Sequence, residues 1–189
     1  MTRDQAYKLV TDWTKNKNLV KHMLAVEAQM KALARYFKED EELWGLAGLV
    51  HDADYEMLQE EKKIEEHPFR TVSKLKKLQV DPALVQAVES HAWKWNKKCP
   101  EPKSRVDWAL YTCDELSGFI IACALVRPDK KLSSLNVDSI LKKWPQKSFA
   151  KGVHREQIEL CEEKLDMKLK DFILICLTSL QGISEELGL

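Results

Sequence analysis

The chain has 189 residues, of which 44% are hydrophobic and 32% charged, with basic and acidic residues equal at 30 each. These values are typical of one soluble globular domain and exclude a disordered chain. Because the net charge is zero, no general field attracts a nucleic acid duplex or an acidic membrane surface, and neither is expected as a partner.

The N-terminus, the apolar stretches and the cysteines predict where in the cell the protein is located. The N-terminus is polar and lacks the apolar centre of a signal peptide, and no apolar stretch approaches membrane-spanning length. The cysteines are odd in number, widely spaced and without a CxxC pair, at Cys99, Cys113, Cys123, Cys161 and Cys176. Reduced thiols in a cytoplasmic protein are therefore expected.

Apolar residues recur at spacings of three and four, and glycine and proline are scarce, so the pattern predicts an all-α fold. The first helix should begin at Thr2, which starts a capping box, and run to about Lys15. Asn18 should cap a second helix over Leu19–Phe37. A third helix should start after Asp40 and deliver His51 and Asp52 at its C-terminal end.

The rest of the chain continues the helical pattern. Residues 56–66 are expected to form a loop or a short helix, and the pair Asp81-Pro82 is a strong helix start. A segment with two prolines from Trp93 to Ser104 should be a loop. The predicted helices of this part are 68–78, 82–91, 105–125, 137–143, 155–165 and 169–187. A metal-bearing core over about 16–127 and a C-terminal helical extension over about 128–189 would form a single domain.

Four of the five histidines and two aspartates form one ordered pattern that is typical of a metal site. Imidazole nitrogen and carboxylate oxygen together suit divalent transition metals. Adjacent residues diverge by about 100° on a regular helix, but they can converge on one ion where a helix ends. His22 alone means little, and Asp114 in a mostly apolar helix is more suggestive because a buried carboxylate needs a partner, whereas the ordered set is specific. Its members are His22, His51, Asp52, His67, His91 and Asp114.

This set resembles the HD superfamily of metal-dependent phosphohydrolases, over about Leu19 to Leu125. Beyond the set, the segments that resemble small predicted hydrolases of this superfamily are 44–52 (WGLAGLVHD), 124–132 (ALVRPDKKL) and 147–150 (KSFA). The resemblance implies an HD-domain helical bundle and metal-activated hydrolysis of a small phosphate ester or anhydride, with a nucleotide as the favoured substrate. The resemblance itself does not fix the substrate; the preference for a nucleotide is a separate expectation. The resemblance also implies one or two divalent ions, with Mn, Fe, Co, Ni and Zn all acceptable.

Two interpretations are open for the downstream histidines. His67 could cap the helix that follows it, and His91 could be a half-buried residue at a helix end. Alternatively, both bind a second ion that Asp52 bridges, because HD families with two metals share this spacing. The match in order and in placement at helix ends favours two metals, the first held by His22, His51, Asp52 and Asp114.

Catalytic and substrate-binding roles are less constrained. Asp52 is expected at the reacting centre, and Asp54 or Glu56 could act as a general acid or base, orient a ligand histidine, or lie solvated in the loop. Arg127, Lys147 and Ser148 are candidates for binding phosphate.

An aromatic candidate follows His91. Trp93, with Trp95 close behind it, could stack on a nucleobase or simply pack the loop against the protein.

Three further functions stay open at this point. Symmetrical dinucleoside polyphosphates are one specific substrate, since a small HD family that hydrolyses them has a similar six-ligand layout. A metal-stabilised helical module that senses a nucleotide or binds a protein would keep the ligands without turnover. A di-iron oxygenase is a third class, although such proteins use additional ligands that this chain does not place. The oligomeric state is not predicted.

Overall fold

A computed structural model describes all residues from Met1 to Leu189, and every regular element in it is helical. The all-α prediction is confirmed. Two short 3-10 turns occupy Ile64–Glu66 and Leu132–Ser134. The α-helices are α1 (Arg3–Trp13), α2 (Lys17–Phe37), α3 (Glu41–Val50), α4 (Tyr55–Glu60), α5 (Phe69–Lys77), α6 (Pro82–Ser90), α7 (Arg105–Leu125), α8 (Val137–Lys143), α9 (Arg155–Lys164), α10 (Leu169–Gln181) and α11 (Ser184–Leu187).

Side-chain caps start the helices where the sequence places them. Thr2 forms a capping box at α1, and Asp40 accepts a hydrogen bond of 3.0 Å from the backbone N–H of Leu43 at α3. Asp81 accepts one of 2.8 Å from Ala83, with a proline at the first turn of α6. Each cap satisfies a backbone donor that the first helical turn leaves free.

Two predicted boundaries are wrong. α2 begins at Lys17 rather than Leu19, because the side chain of Asn16 accepts the backbone N–H of Asn18 at 2.9 Å and takes the capping position. The long final helix is divided near Gly182 into α10 and α11. Glycine has a low helix propensity, which accounts for the break at that position.

One hydrophobic cluster of 44 buried residues extends through the whole chain. α2 packs against α3, α7 and α10, and α7 packs against α9. The helices after residue 128 therefore share their core with the earlier helices. Among the largest fully buried side chains are Met23 of α2, Phe119 of α7 and Phe172 of α10.

α7 is long and apolar enough to cross a membrane by length and composition, which differs from the expectation that no stretch approaches that length. Its apolar 18-residue window is 67% buried inside the protein. A central helix of a helical bundle is apolar on most of its faces for the same reason. The position of α7 in the core thus accounts for its composition.

A close approach of α2 and α3 sets the position of the candidate site. A Cβ atom added at Gly48 of α3 would lie 2.8 Å from the carbonyl oxygen of Val26 and 2.9 Å from its carbonyl carbon. Only glycine fits this contact without a backbone shift. The contact brings the C-terminal end of α3 beside the middle of α2, four residues after His22.

Candidate metal centre

The structure brings all six predicted ligands into one cluster. His22 lies on α2 and Asp114 on α7, while His51 and Asp52 follow the last residue of α3. His91 ends α6, and His67 lies just before α5. The turn after Val50 leaves the helix and lets two adjacent residues face the same point, as their sequence position predicted.

The first half of the cluster joins α2, α3 and α7. His22 Nε2 lies 2.9 Å from Asp114 Oδ1 and 3.3 Å from His51 Nε2. His51 Nε2 lies 3.5 Å from an oxygen of each aspartate, Asp52 and Asp114. One potential ligand atom from each of His22, His51 and Asp114 lies within 4.8 Å of the others, which is a spacing that one ion can span.

The second half joins the turn after α3 to α5 and α6. The Nε2 atoms of His67 and His91 lie 3.1 Å apart, and each is 3.3 Å from Asp52 Oδ1. The other oxygen of this carboxylate, Oδ2, faces His51 and His22 at 3.5 and 3.8 Å. Asp52 thus directs one oxygen to each half of the cluster, as a bridging carboxylate would.

Each of the four imidazoles is oriented through its Nδ1 atom. His51 and His91 donate from Nδ1 to the backbone carbonyls of Gly48 and Val88, at 2.8 and 2.6 Å.

The other two imidazoles use side chains for the same purpose. His22 Nδ1 donates to Ser117 Oγ at 3.1 Å, and the Ser117 hydroxyl donates in turn to the carbonyl of Asp114 at 2.8 Å. His67 Nδ1 donates to Asp54 Oδ1 at 2.6 Å. With Nδ1 protonated, every neutral imidazole presents a lone pair on Nε2.

Four nitrogen lone pairs therefore converge on carboxylate oxygens, an arrangement that needs a cation at its centre. Protons supply part of that charge when no metal is bound. Burial opposes the charging of His51, but Asp52 and Asp114 outweigh burial and raise the pKa of His51 to about 9. Burial also opposes the charging of His67, and its bonds to Asp52 and Asp54 raise the pKa of His67 to about 9.

The same balance acts on Asp52 and on His91. Burial alone would raise the pKa of Asp52, but the charge of His51 and the hydrogen bonds from His67 and His91 hold it well below its usual range. Burial lowers the pKa of His91 and favours its neutral form. Oriented imidazoles and deprotonated carboxylates are suited to bind divalent metal ions. Histidines that bind a metal through Nε2 typically donate a hydrogen bond from Nδ1, as these four do.

Comparison with known proteins agrees with this geometry. The model of the HD domain family matches residues 19–123, more than half of the chain, and this segment contains all six ligand candidates. The chain belongs to the HD domain family. A search of curated proteins and a search of solved structures each found no match.

The cluster of four histidines and two aspartates opens on one side to a cleft of about 570 Å³. The side chains of Asp52, Asp114 and His22 are 16%, 22% and 24% exposed, whereas that of His51 is fully buried. Substrate and water can therefore approach from the carboxylate side. The cleft is lined by Asp52, Tyr55, His67, His91, Ala92, Trp93, Lys94, Trp95, Tyr111, Asp114, Glu115, His154, Glu156, Gln157 and Leu160.

The two loop carboxylates that were considered as acid or base have other partners. Asp54 is fully buried, and its two oxygens accept from His67 Nδ1 and, at 2.9 Å, from the backbone N–H of Thr71. It orients His67, a candidate ligand, and does not line the cleft. Glu56 accepts from the backbone N–H groups of Lys15 and Asn16 in the linker before α2. This placement contradicts a catalytic role for Glu56, because its carboxylate is occupied outside the cleft.

The predicted phosphate-binding residues are also elsewhere. Arg127, Lys147 and Ser148 are exposed, and none of them lines the cleft. Arg127 follows the helix that carries Asp114, but this does not direct its side chain to the site. Instead, α7 ends at Leu125, and the following turn lies at the solvent surface. These three assignments are corrected by the structure.

Trp93 does line the cleft, but it is also packed against the protein. Its ring lies 5.7 Å from that of Trp108 and 5.6 Å from that of Tyr111, and Lys94 Nζ lies 4.5 Å above it. Trp95 is the more accessible ring at 54% exposure, and its edge lies against His67 with 5.7 Å between ring centres. Aromatic surface is thus present beside the second half of the cluster.

Sequence reasoning missed the wall that α9 contributes. His154 is the one histidine outside the predicted metal pattern. It is exposed, yet it lines the cleft and contacts Glu115, the residue after Asp114. The one signal in the sequence is that Glu115 adjoins a predicted ligand on α7. No local pattern connects Glu115 to His154, which lies 39 positions later in the chain.

Proposed function

We propose that this HD protein is a hydrolase of small phosphate esters that works with two divalent metal ions. The bridging position of Asp52 carries the proposal, because its two oxygens face two separate pairs of histidines. His22, His51, Asp52 and Asp114 would hold the first ion, and Asp52, His67 and His91 the second. Ions held in such a pair acidify water and neutralise the charge of a phosphoryl group.

The protein's own residues supply the orientation. Asp54 and Ser117 fix the rings of His67 and His22 through Nδ1, so the ligand nitrogens need no rearrangement when an ion binds. The buried floor excludes water from the histidine side, and the partly exposed Asp52 and Asp114 leave the other side open to a phosphate group.

A nucleotide is the favoured substrate, since Trp93, Trp95 and Tyr55 give the cleft aromatic surface. Outside the ligand set, the cleft contains one lysine against two glutamates, Glu115 and Glu156. A single phosphate group is therefore favoured over a polyphosphate chain, which would bring additional negative charge next to these carboxylates. A dinucleoside polyphosphate is the less favoured option. The five free, buried cysteines support a reducing, cytoplasmic location.

The decisive test is the metal content of untagged protein, measured by elemental analysis beside the His67→Ala/His91→Ala double variant. We expect about two ions per chain in the wild type and about one in the variant. One ion in both proteins would remove the second site. No ion in either protein after reconstitution would refute the metal centre. Turnover of nucleotides and of p-nitrophenyl phosphate should follow the metal content, with and without oxygen.

The low number of cations in the cleft favours one second candidate, a non-catalytic module that senses a nucleotide or binds a protein. Such a module would retain both ions and bind nucleotide without releasing product. A metal-loaded protein that binds nucleotide and hydrolyses none of the panel would support this alternative over hydrolysis.

A further inference from the structure

The cleft has a second wall that lies outside the segment matched by the family model. Residues 154–160 of α9 and its N-terminal boundary contribute His154, Glu156, Gln157 and Leu160. The matched segment ends at residue 123. Whatever substrate the metal cluster receives must also fit against this wall.

Three contacts fix the start of α9 onto α7 and the preceding loop. Gln157 Nε2 donates to the carbonyl of Tyr111 at 2.6 Å. The Arg155 guanidinium donates to the carbonyl of Phe149 at 2.8 Å. The third contact is made by His154, whose backbone N–H and Nδ1 donate to the two carboxylate oxygens of Glu115, at 3.0 and 2.9 Å.

The Glu115 contact leaves the second ring nitrogen of His154 unused. Glu115 accepts two bonds from this residue and holds the proton on Nδ1, while Nε2 of His154 has no partner in the protein. The side chain is 60% exposed although its position is fixed. A fixed imidazole with an unused nitrogen in a substrate cleft is suited to contact a ligand.

Charge in the cleft indicates which ligand group this is. Lys94 is the only lysine or arginine that lines the cleft, and its ammonium group lies over the ring of Trp93. Besides the ligand histidines, His154 is the one other side chain there that can carry positive charge. The hydrogen bond to Glu115 raises the pKa of His154 and so favours the imidazolium form.

We propose that His154, held by Glu115, donates a hydrogen bond from Nε2 to the phosphate group of the substrate. The role rests on the proposed function, because the metal cluster places phosphate in this cleft. It gives the C-terminal extension a part in substrate binding. It also supplies the positive group that Arg127 and Lys147 do not provide.

Binding of inorganic phosphate to the zinc-loaded protein tests this role without requiring turnover. Titration calorimetry would compare the wild type with His154→Gln, Glu115→Gln and a control, Lys151→Gln, which removes an exposed positive charge just before α9. Loss of a charge-assisted hydrogen bond should weaken phosphate binding about 10- to 100-fold in His154→Gln. Glu115→Gln should cause a smaller loss, and Lys151→Gln should stay within about twofold.

A second readout separates binding from a purely structural role. Long-range nitrogen–proton spectra resolve the imidazole nitrogens, and phosphate should shift Nε2 of His154 in the zinc-loaded wild type. If His154→Gln lowers the melting temperature but binds phosphate like the wild type, the pair only fastens α9 to α7 and the inference is wrong. If the zinc-loaded wild type binds no phosphate, the proposed function fails as well, which distinguishes the two failures.

Discussion

Asp54 Oδ1 lies 2.6 Å from Nδ1 of His67, and both side chains are closed to solvent. The second oxygen of Asp54 accepts the backbone N–H of Thr71 in α5. One buried carboxylate thus fixes both a ligand histidine and the helix that follows it. A carboxylate can accept at both oxygens, whereas an amide can accept at only one.

Replacement of Asp54 by Asn should therefore weaken the second metal position. One of the two hydrogen bonds of Asp54 must be lost in the variant. Loss of a hydrogen bond that orients a metal-binding histidine commonly lowers metal affinity by about 10- to 100-fold. The measurement is zinc content after dialysis against a weak chelator. We expect the second ion to be lost from the variant and the ion held by His22, His51 and Asp114 to remain.

Glu56→Gln is the matched control for this change, because it alters another carboxylate of the same segment. Glu56 accepts backbone N–H groups before α2 and touches no ligand. Weakening of these hydrogen bonds in Glu56→Gln should reduce the free energy of unfolding by about 0.5–1.5 kcal/mol and leave the zinc content unchanged. Equal zinc loss in both variants would show that Asp54 acts only through general stability.

Ser117 has the corresponding role at the first metal position. Its Oγ accepts from Nδ1 of His22, and its hydroxyl proton goes to the carbonyl of Asp114. Ser117→Ala should reduce affinity for the first ion by about tenfold, because the His22 ring loses its fixed orientation. Competition with a chromogenic zinc chelator measures this change.

Ser179→Ala is the control for Ser117. Ser179 makes the same kind of hydroxyl bond, to the carbonyl of Cys176 at 2.8 Å, on a helix that carries no ligand. The zinc affinity of the Ser179→Ala protein should equal that of the wild type. If Ser117→Ala also retains wild-type affinity, the His22 tautomer is set by something other than this bond.

The sequence predicted which histidines and aspartates would cluster better than it predicted their surroundings, for a physical reason. His22, His51 and Asp114 are identifiable because residue type, order and helical spacing are local properties of a chain. Caps such as Asp40 and Asp81 are local too, and both helix starts were confirmed.

Contacts between distant segments have no such pattern. Asp54 meets Thr71 across 17 residues, and Glu115 meets His154 across 39. Arg127 and Lys147 were chosen for their charge, but only the packed helices determine which charges face the cleft. For that reason the cleft lining required the structure.

Metal removal should make stability depend on pH in a specific direction. In the metal-free protein the pKa of His51 and of His67 is about 9, against 6.5 for an ordinary histidine. Between these values the folded protein holds more protons than the unfolded chain. The stability that these two histidines contribute should therefore be fully present below about pH 6.5 and should be lost as the pH rises through about 9.

The zinc-loaded protein should show no such decline, because the ion replaces those protons. Melting temperatures measured across this range, with zinc and after chelation, test the difference. His51→Gln removes one of the two groups and should make the decline shallower. A metal-free melting temperature that stays constant or rises with pH over this window would contradict the protonated cluster.

Gly48 and Gly45 lie one turn apart on α3 and offer a test of how helix packing positions the cluster. An alanine Cβ at Gly48 meets the backbone carbonyl of Val26 at 2.8 Å, whereas one at Gly45 meets the side chain of Lys31 at 2.5 Å. The side chain of Lys31 can turn aside, which strains its 2.6 Å contact with Glu27, but the backbone of α2 cannot. Gly45→Ala should therefore change the free energy of unfolding by no more than about 1 kcal/mol, since alanine also favours the helix.

Gly48→Ala should cost about 1–3 kcal/mol, because α3 must move away from α2. The same shift separates His51 from His22, so the variant should also bind the first zinc ion more weakly. Urea unfolding and zinc content measure the two effects, with Gly45→Ala as the control for each. A Gly48→Ala protein with wild-type stability and zinc content would mean that α2 and α3 can separate at this contact without disturbing the centre.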